Sequence, residues 1–423
     1  MSADAAARAR PDLADPLDLA DPGLVRDPYP AYAALRADGG LHHAPRWDCW
    51  VVTRYGLCRD VLTGPAGADA TGQPLLRMLQ ASVARGARTW RLPTFPGTGP
   101  AAGIGVDEER RLQGRRTTAL ALGADGLERL WPAFAAACAA AAAHLVDRGG
   151  PVDLVRDYAI PLVTDLLADL MAVAPGDRPV FRAWAESGYR DDLDEPAMRV
   201  IVRDVRHLLA RQAVDRLRCP ADDFVGRLAA GEGVLSTGGS TVGAHLEFVL
   251  ATGLMVSLVT HQGLVLSFST MLGSLLARPD QYHLLGRRRD LLAGAVEEGL
   301  RHDSSTQALG RRTPVALRLG GRVLPAGSLL VLFTGSANRD GTQWRHADEL
   351  DVTRDVRAAA RHLAFGRGAN SCLGAAMSRR ALRYLLGAVV DRVRELAPAP
   401  GARRFPEFMT RGYTALPVEL VAR

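Results

Sequence analysis

The chain has 423 residues, of which 48% are hydrophobic and 23% charged, and its formal net charge is +6. These values are typical of a globular protein and argue against a disordered or membrane-embedded chain. All 52 basic residues are arginine. No arginine-rich run is interleaved with aromatic residues, so the sequence does not indicate a nucleic-acid partner.

The N-terminal segment is polar and rich in proline, without the apolar core of a secretory signal. We therefore predict a flexible arm at residues 1–25 and one catalytic domain at residues 26–423, since no stretch resembles a linker and no internal repeat is evident. A cytoplasmic monomer is expected.

The first third of the chain mixes short strands, such as 50–53, with helices, such as 30–37. From about residue 107 to residue 277 the pattern is helical, and clusters of glycine, proline and aspartate interrupt it. Low-complexity alanine at 135–143 is most simply a tightly packed helix.

A small β region follows, because 314–319 alternates, Gly320-Gly321 is typical of a turn, and 329–333 is an apolar run. Another helix is expected from Gly374 to about Leu396. Many helices with a minor β component predict one mainly α domain.

The uncharged stretch 248–277 is long enough to span a membrane. It contains Thr260, His261 and Gln262, whose exposure to lipid would be costly. We therefore predict a buried core helix and no membrane partner.

The five cysteines are widely spaced, without a zinc or disulfide pattern. Cys372 differs from the others because it ends a glycine-rich run, HLAFGRGANSCLG, just before a predicted helix. Gly366 and Gly368 permit a tight backbone, and Gly374 allows the helix to begin close by. A helix N-terminus and Arg367 would stabilise a thiolate, the soft anion that an iron ion binds. The alternative is a buried structural cysteine in a glycine-rich turn.

This run resembles the haem-binding loop of the cytochrome P450 family, Phe-Gly-x-Gly-x-His-x-Cys-x-Gly. The matching positions are Phe365, Gly366, Gly368, Cys372 and Gly374. Asn370 stands where the family has a histidine that helps to hold a haem propionate. The resemblance implies haem b (iron protoporphyrin IX) ligated by Cys372, with altered anchoring at Asn370.

Glu298 and Arg301 are three residues apart and share one face of a predicted helix. Such a pair is common on protein surfaces. Its position before Cys372, however, resembles the family's ExxR helix, whose pair locks the core behind the haem. The resemblance covers almost the whole chain and implies the P450 fold: mainly α with a small β region, and a long central helix over a buried haem.

Three arginines are further candidates for haem binding by resemblance. Arg311 matches a propionate-binding arginine, and Arg115 matches the end of the family's His-x-x-x-Arg, where Arg111 replaces the histidine. Guanidinium groups suit carboxylates. The alternative is a solvated basic helix face.

Oxygen-activating P450 enzymes usually carry Ala-Gly-x-Asp/Glu-Thr in the helix over the haem. That motif aligns with 259–263, where Gln262 replaces the acid and Gly263 the alcohol. Glutamine cannot relay a proton as a carboxylate does, and glycine has no hydroxyl. Thr260, His261, Gln262 and Gly263 are the candidate catalytic positions. Either Thr260 and His261 act instead, or substrate and water supply the relay, or dioxygen is not activated.

The resemblance thus implies a haem-thiolate enzyme of bacterial secondary metabolism, including antibiotic biosynthesis, that hydroxylates, epoxidises, couples or cyclises a small-molecule substrate. A monooxygenase would need a ferredoxin and a ferredoxin reductase, docking near Arg367, Arg379 and Arg380. One alternative is redox-neutral or peroxide-type chemistry on a substrate with a weak N–O or O–O bond. Another is a degenerate haem protein that recruits a partner or senses a ligand.

Overall fold

The computed structural model describes residues 22–68, 108–123, 127–190, 192–231, 242–406 and 408–423. Among these residues the helices are α1 (Pro22–Arg26), α2 (Tyr29–Ala37), α3 (Tyr55–Thr63), α4 (Pro65–Ala68), α5 (Glu108–Ala121), α6 (Trp131–Arg148), α7 (Ile160–Leu170), α8 (Arg178–Glu186), α9 (Glu195–Arg218), α10 (Phe224–Ala229), α11 (Val242–Leu276), α12 (Pro279–Arg287), α13 (Leu292–His302), α14 (Thr334–Ala337), α15 (Val356–Ala359) and α16 (Ala375–Arg392). The strands are β1 (Leu41–Ala44), β2 (Cys49–Val52), β3 (Val152–Asp153), β4 (Leu309–Arg312), β5 (Leu317–Leu319), β6 (Arg322–Leu324), β7 (Leu329–Leu332), β8 (Val393–Pro398), β9 (Arg403–Arg404), β10 (Tyr413–Ala415) and β11 (Pro417–Ala422).

The central element is α11, a helix of 35 residues that packs against α7, α9, α13 and α16. Its stretch from His245 to Leu276 is long and apolar enough to cross a membrane, and 67% of its most apolar window is buried inside the protein. A helix that is apolar on all sides is stable when surrounded by other helices. The predicted buried core helix is therefore confirmed.

The alanine-rich helix α6 packs closely on α16, the helix that follows Cys372. Small side chains permit this approach, and Cys138 and Ala142 are fully buried in it. The largest hydrophobic cluster joins α6, α7, α11 and α16. These helices fix the position of the cysteine loop relative to α11.

The β region surrounds this helical core in small sheets. The largest has the strand order β1-β2-β7-β4, with β2 and β7 parallel and the other pairs antiparallel. The predicted turn is confirmed: Gly320 and Gly321 have φ of 54° and 78° and join β5 to β6. Positive φ at both turn residues is the pattern that glycine adopts without strain.

One predicted helix boundary was wrong. The helix after Gly374 ends at Arg392 rather than near Leu396, because Val393–Pro398 forms a strand that pairs with β11. Within the predicted arm, α1 begins at Pro22 and buries Leu24 in a hydrophobic cluster. The rest of the predicted arm lies outside the described residues.

Candidate functional site around Cys372

Cys372 differs from most of the other cysteines in its exposure to solvent. Cys49, Cys58 and Cys138 are buried, whereas Cys219 and Cys372 are exposed. Only Cys372 of the exposed pair lies in a shaped loop that leads into a long helix, α16. Accessibility and local geometry together single it out as a candidate ligand.

The Cys372 loop is held by its own backbone. The Cys372 N–H donates to the carbonyl oxygen of Phe365 at 2.8 Å, which closes the loop on itself. Gly366 and Gly368 have φ of 64° and 74°, a region that other residues rarely adopt. A Cβ on Gly368 would lie 2.3 Å from the Leu62 carbonyl oxygen, so glycine is also required by the close approach of α3.

Although the residue is exposed, protein atoms around its thiol partly exclude water and raise the pKa of Cys372, while a hydrogen bond from the Gly374 backbone and the charges of Arg115 and Arg379 lower it. The net shift is upward. The predicted helix N-terminus contributes through the Gly374 N–H, whereas Arg115 and Arg379, rather than the predicted Arg367, supply the positive charges. A metal cation deprotonates a coordinating thiol. The loop therefore favours a thiolate when a metal ion is bound.

Asn370 makes a protein contact that the sequence did not indicate. Its Nδ2 donates to the carbonyl oxygen of Gly67, just after α4 begins, at 2.7 Å. The altered haem anchoring expected at Asn370 stays a prediction. In the structure its amide joins the loop to α4.

The three candidate arginines lie in different settings. Arg115 Nη2 donates to the carbonyl oxygen of Ser371 at 2.6 Å, so α5 is attached next to Cys372. Arg311 is buried in β4, and its Nη1 donates to the carbonyl oxygen of Gly310 at 2.7 Å. Arg111 lies in α5, but its side chain is outside the described residues. Arg115 is thus brought directly to the Cys372 loop.

Glu298 and Arg301 form a fully buried ion pair, with both guanidinium–carboxylate contacts at 2.8 Å. Arg301 also donates to the carbonyl oxygens of Asn338, Ala347 and Glu349. This geometry agrees with the predicted core-locking pair. The planar guanidinium satisfies all of these acceptors at once, which an ammonium group cannot do.

Asn338 connects this pair to the Cys372 loop. Its carbonyl oxygen accepts from Arg301, and its Oδ1 accepts from the Leu363 N–H at 2.7 Å. The side-chain Nδ2 donates to Ser304 Oγ at 2.7 Å. The buried ion pair therefore positions the start of the loop through one intervening residue.

The predicted docking arginines are largely engaged within the protein. Arg379 binds Glu297, and Arg380 binds Glu128. Arg367 is exposed and donates to Tyr55 Oη at 3.1 Å. Arg379 and Arg380 are thus paired within the protein, and docking of a partner at these arginines stays a prediction.

One strip of α11 is accessible. Val259 is 58% exposed, and Gly263, one helical turn later, is also exposed. A Cβ added to Gly263 would meet nothing within 4 Å. Thr260 and Gln262 are half-buried beside this strip, and Gln262 Nε2 has no hydrogen-bond partner among the described residues. The strip is therefore an accessible surface with the Gln262 amide group beside it.

His261 lies away from this strip. It is fully buried, its Nε2 is 2.9 Å from Thr164 Oγ1 on α7, and its ring packs on Tyr189. Burial lowers the pKa of His261 to about 3, so the ring is neutral near pH 7. The structure does not bring His261 together with Gly263, because residues two apart point to different sides of a helix.

The donor set around Cys372 fits a haem. A sulfur ligand at the N-terminus of α16 receives the Gly374 N–H, and two arginines act on it electrostatically. Arg115 adds a guanidinium at the loop, and such groups suit the carboxylates that a haem carries. Among the described residues, histidine, cysteine and acidic side chains form no cluster of three or more that could hold a metal ion.

Comparisons with known proteins agree with this site. The family model described as "Cytochrome P450" matches residues 284–408. The chain is 29% identical to Cytochrome P450 107B1 of Saccharopolyspora erythraea, covering 94% of this chain and 96% of that protein. It is 28% identical to the cytochrome P450 monooxygenase PikC of Streptomyces venezuelae, over 93% and 91% of the two chains.

A third relative is the 20-oxo-5-O-mycaminosyltylactone 23-monooxygenase of Streptomyces fradiae, 27% identical over 92% of this chain and 89% of that protein. Among solved structures, CalO2 matches with a TM-score of 0.77 and 25% identity, over 96% of this chain and 98% of that chain.

The chain has the cytochrome P450 fold, and its residues 284–408 match the model of that family. The relatives support an oxidoreductase similar to the bacterial P450 enzymes, and this similarity implies a haem-thiolate cofactor. Sequence reasoning missed Gly67 and Glu297 as contributors to the site, and it did not indicate the contact of His362 with Glu297. No local pattern marks them, because each acts on a residue distant in sequence.

Proposed function

We propose that this protein is a haem-thiolate monooxygenase that tailors a small molecule of bacterial secondary metabolism by hydroxylation, epoxidation, coupling or cyclisation. The observation that carries the proposal is Cys372, an exposed residue just before α16 whose sulfur accepts the Gly374 N–H. The names of the relatives, two of them monooxygenases, support oxidative chemistry. Haem b is the proposed cofactor, residues 26–423 the proposed catalytic domain, and a cytoplasmic monomer the proposed form.

The residues near Cys372 have distinct proposed roles. Cys372 Sγ would ligate the haem iron, and the Gly374 N–H would limit how much charge the sulfur donates. Arg115, Arg311 and Arg111 are the proposed propionate partners, with Arg115 already placed at the loop. Phe365, Gly366 and Asn370 shape the loop. When bound, the haem supplies an iron at which dioxygen or a peroxide can react.

The residues of α11 that the resemblance places over the haem limit how protons can be supplied to the reaction. The amide of Gln262 can donate a hydrogen bond but cannot pass on a proton at neutral pH. Gly263 offers space rather than a hydroxyl, since a Cβ there would meet nothing within 4 Å. We propose that a substrate hydroxyl or an ordered water occupies this space. Thr260, half-buried beside Gln262, is the remaining protein hydroxyl in the predicted motif.

Electrons would come from an acidic ferredoxin and its reductase. Arg116 is exposed on α5 beside Arg115, and Arg367 is exposed in the Cys372 loop. Both lie close in sequence to residues that contact the loop, so they form the proposed docking surface in place of Arg379. Exposed charges of this kind mainly speed encounter, and their effect weakens with salt.

A carbon monoxide spectrum tests the ligand. Reduced, haem-loaded protein is expected to show the red-shifted Soret band of thiolate ligation. Cys372→Ser should lose that band, while Cys219→Ser, which changes the other exposed cysteine, should keep it. A folded wild-type protein that binds haem without the band, or a Cys219→Ser variant that alone loses it, would contradict the assignment.

Turnover under controlled gas tests the reaction class. With substrate, ferredoxin, reductase and NAD(P)H, product is expected only when dioxygen is present. Product formed anaerobically without a reductant would instead establish redox-neutral chemistry. Product that needs only added peroxide would replace the monooxygenase assignment with a peroxygenase one.

A further inference from the structure

Arg379 is held in one orientation on the side of α16 that faces the Cys372 loop. Its Nε donates to Glu297 Oε1 at 2.6 Å. Its guanidinium carbon lies 4.7 Å from the centre of the Phe365 ring, a cation–π distance. Two independent contacts therefore fix this positive charge against the loop.

Glu297 contacts both Arg379 on α16 and His362 at the start of the Cys372 loop. It is 6% exposed, lies in α13, and has its Oε2 3.2 Å from His362 Nε2 at the start of the loop. Burial would raise the pKa of Glu297, but His362 and Arg379 hold it below its usual value. The carboxylate thus stays charged and binds α16 and the loop at the same time.

The hydrogen bonds of His362 indicate its tautomer. Its Nδ1 accepts from the Ala364 N–H at 3.2 Å, so the proton of the neutral ring is on Nε2, which lies 3.2 Å from Glu297 Oε2. Burial lowers the pKa of His362, and the ring is neutral near pH 7. Glu297, Arg379 and His362 therefore form a unit of one anion, one cation and one neutral ring.

This unit lies next to Cys372. Phe365, under the Arg379 guanidinium, accepts the Cys372 N–H through its carbonyl oxygen at 2.8 Å. Arg380 instead packs over Trp131, 4.9 Å from the ring centre.

We infer that Arg379, oriented by Glu297 and His362, is a positioning residue that raises the reduction potential of an iron bound at Cys372. The inference rests on the proposed thiolate ligation. A fixed positive charge stabilises the electron-richer ferrous state more than the ferric state, and a nearby negative charge does the reverse. Arg379 and Glu297 should therefore act with opposite signs.

Reduction potentials of the haem-loaded protein, measured by spectroelectrochemical titration without substrate, test this. Arg379→Met should lower the potential, so that at a fixed solution potential the ferrous-to-ferric ratio falls by about threefold to tenfold. Glu297→Gln, which keeps an acceptor for Arg379, should raise the potential. The double variant should return towards the wild-type value.

Arg380→Met is the matched control, since it removes the same charge one residue further along α16. It should leave the potential close to that of the wild type. Shifts of the same sign in Arg379→Met and Glu297→Gln, or shifts no larger than that of Arg380→Met, would overturn the inference. Absence of the thiolate carbon monoxide band in the wild type would instead contradict the ligation itself, so the two failures are distinguishable.

Discussion

The side-chain amide of Asn370 donates a hydrogen bond to the carbonyl oxygen of Gly67, at 2.7 Å, across 303 positions of the chain. Gly67 is buried, and a Cβ at this position would lie only 2.0 Å from the Leu62 carbonyl oxygen. The bond therefore satisfies a carbonyl group at a tightly packed junction between α4 and the Cys372 loop.

Changing Asn370 should destabilise this junction. Asn370→Ala leaves the Gly67 carbonyl without this donor, which costs about 1–3 kcal/mol. Asn370→Asp keeps the shape but replaces the donor with a second acceptor, and it should cost at least as much at neutral pH. Urea unfolding followed by tryptophan fluorescence measures both. Wild-type stability of Asn370→Asp would show that the bond contributes nothing.

Glu298 should be far more important to stability than an exposed carboxylate in a similar pair. Glu298→Gln leaves the fully buried Arg301 without its counter-charge, and breaking a buried pair in this way costs about 3–5 kcal/mol. Asp280→Asn, which breaks the exposed pair with Arg278, should cost under about 1 kcal/mol. Thermal and urea unfolding of the two variants should differ accordingly. Equal losses would contradict this account of the buried pair.

Stability should fall in mild acid, partly through His261. Its folded-state pKa of about 3 lies below the ordinary value of 6.5, so between these values the unfolded chain binds a proton that the folded protein does not. Protonation therefore favours unfolding as pH falls below 6.5. Each such histidine contributes a slope of at most about 1.4 kcal/mol per pH unit.

His261→Asn should reduce that slope between about pH 6 and pH 4.5. His302, whose pKa burial also lowers to about 3, keeps part of it. His346→Asn, a change at an exposed position, is the control and should leave the slope unaltered. Urea unfolding free energies at several pH values give the slopes, and an unchanged slope in His261→Asn would contradict the burial argument.

Substitutions of Gly263 test the role of the accessible strip of α11. Because a Cβ there would meet nothing within 4 Å, larger side chains should be accommodated without loss of fold. Gly263→Thr adds a hydroxyl, and Gly263→Val adds the same volume without one. If dioxygen is activated, the threonine variant should release less hydrogen peroxide per NAD(P)H consumed than the valine variant. Equal release of hydrogen peroxide by the two variants would show that a hydroxyl at position 263 does not improve the use of dioxygen.

Much of the site was predictable because its signals are local. The glycines of the Cys372 loop, the i, i+3 spacing of Glu298 and Arg301, and the uniformly apolar α11 are patterns within short windows. Their geometry in the structure agrees with those predictions.

The remaining features depend on contacts between distant segments. The end of α16 at Arg392 is set by pairing of β8 with β11, which neither segment reveals alone. The side of α11 on which His261 lies is set by Thr164 on α7. Nothing near Glu297 in sequence indicates that it binds both His362 and Arg379.

Two consecutive carboxylates in α13 have different partners. Glu297 contacts His362 in the Cys372 loop and Arg379 on α16, whereas Glu298 binds Arg301 and Arg354. One extra or missing residue in this helix would rotate both by roughly 100° and separate them from all their partners together. The segment should therefore accept exchanges of side chains elsewhere on α13 but no change in its length.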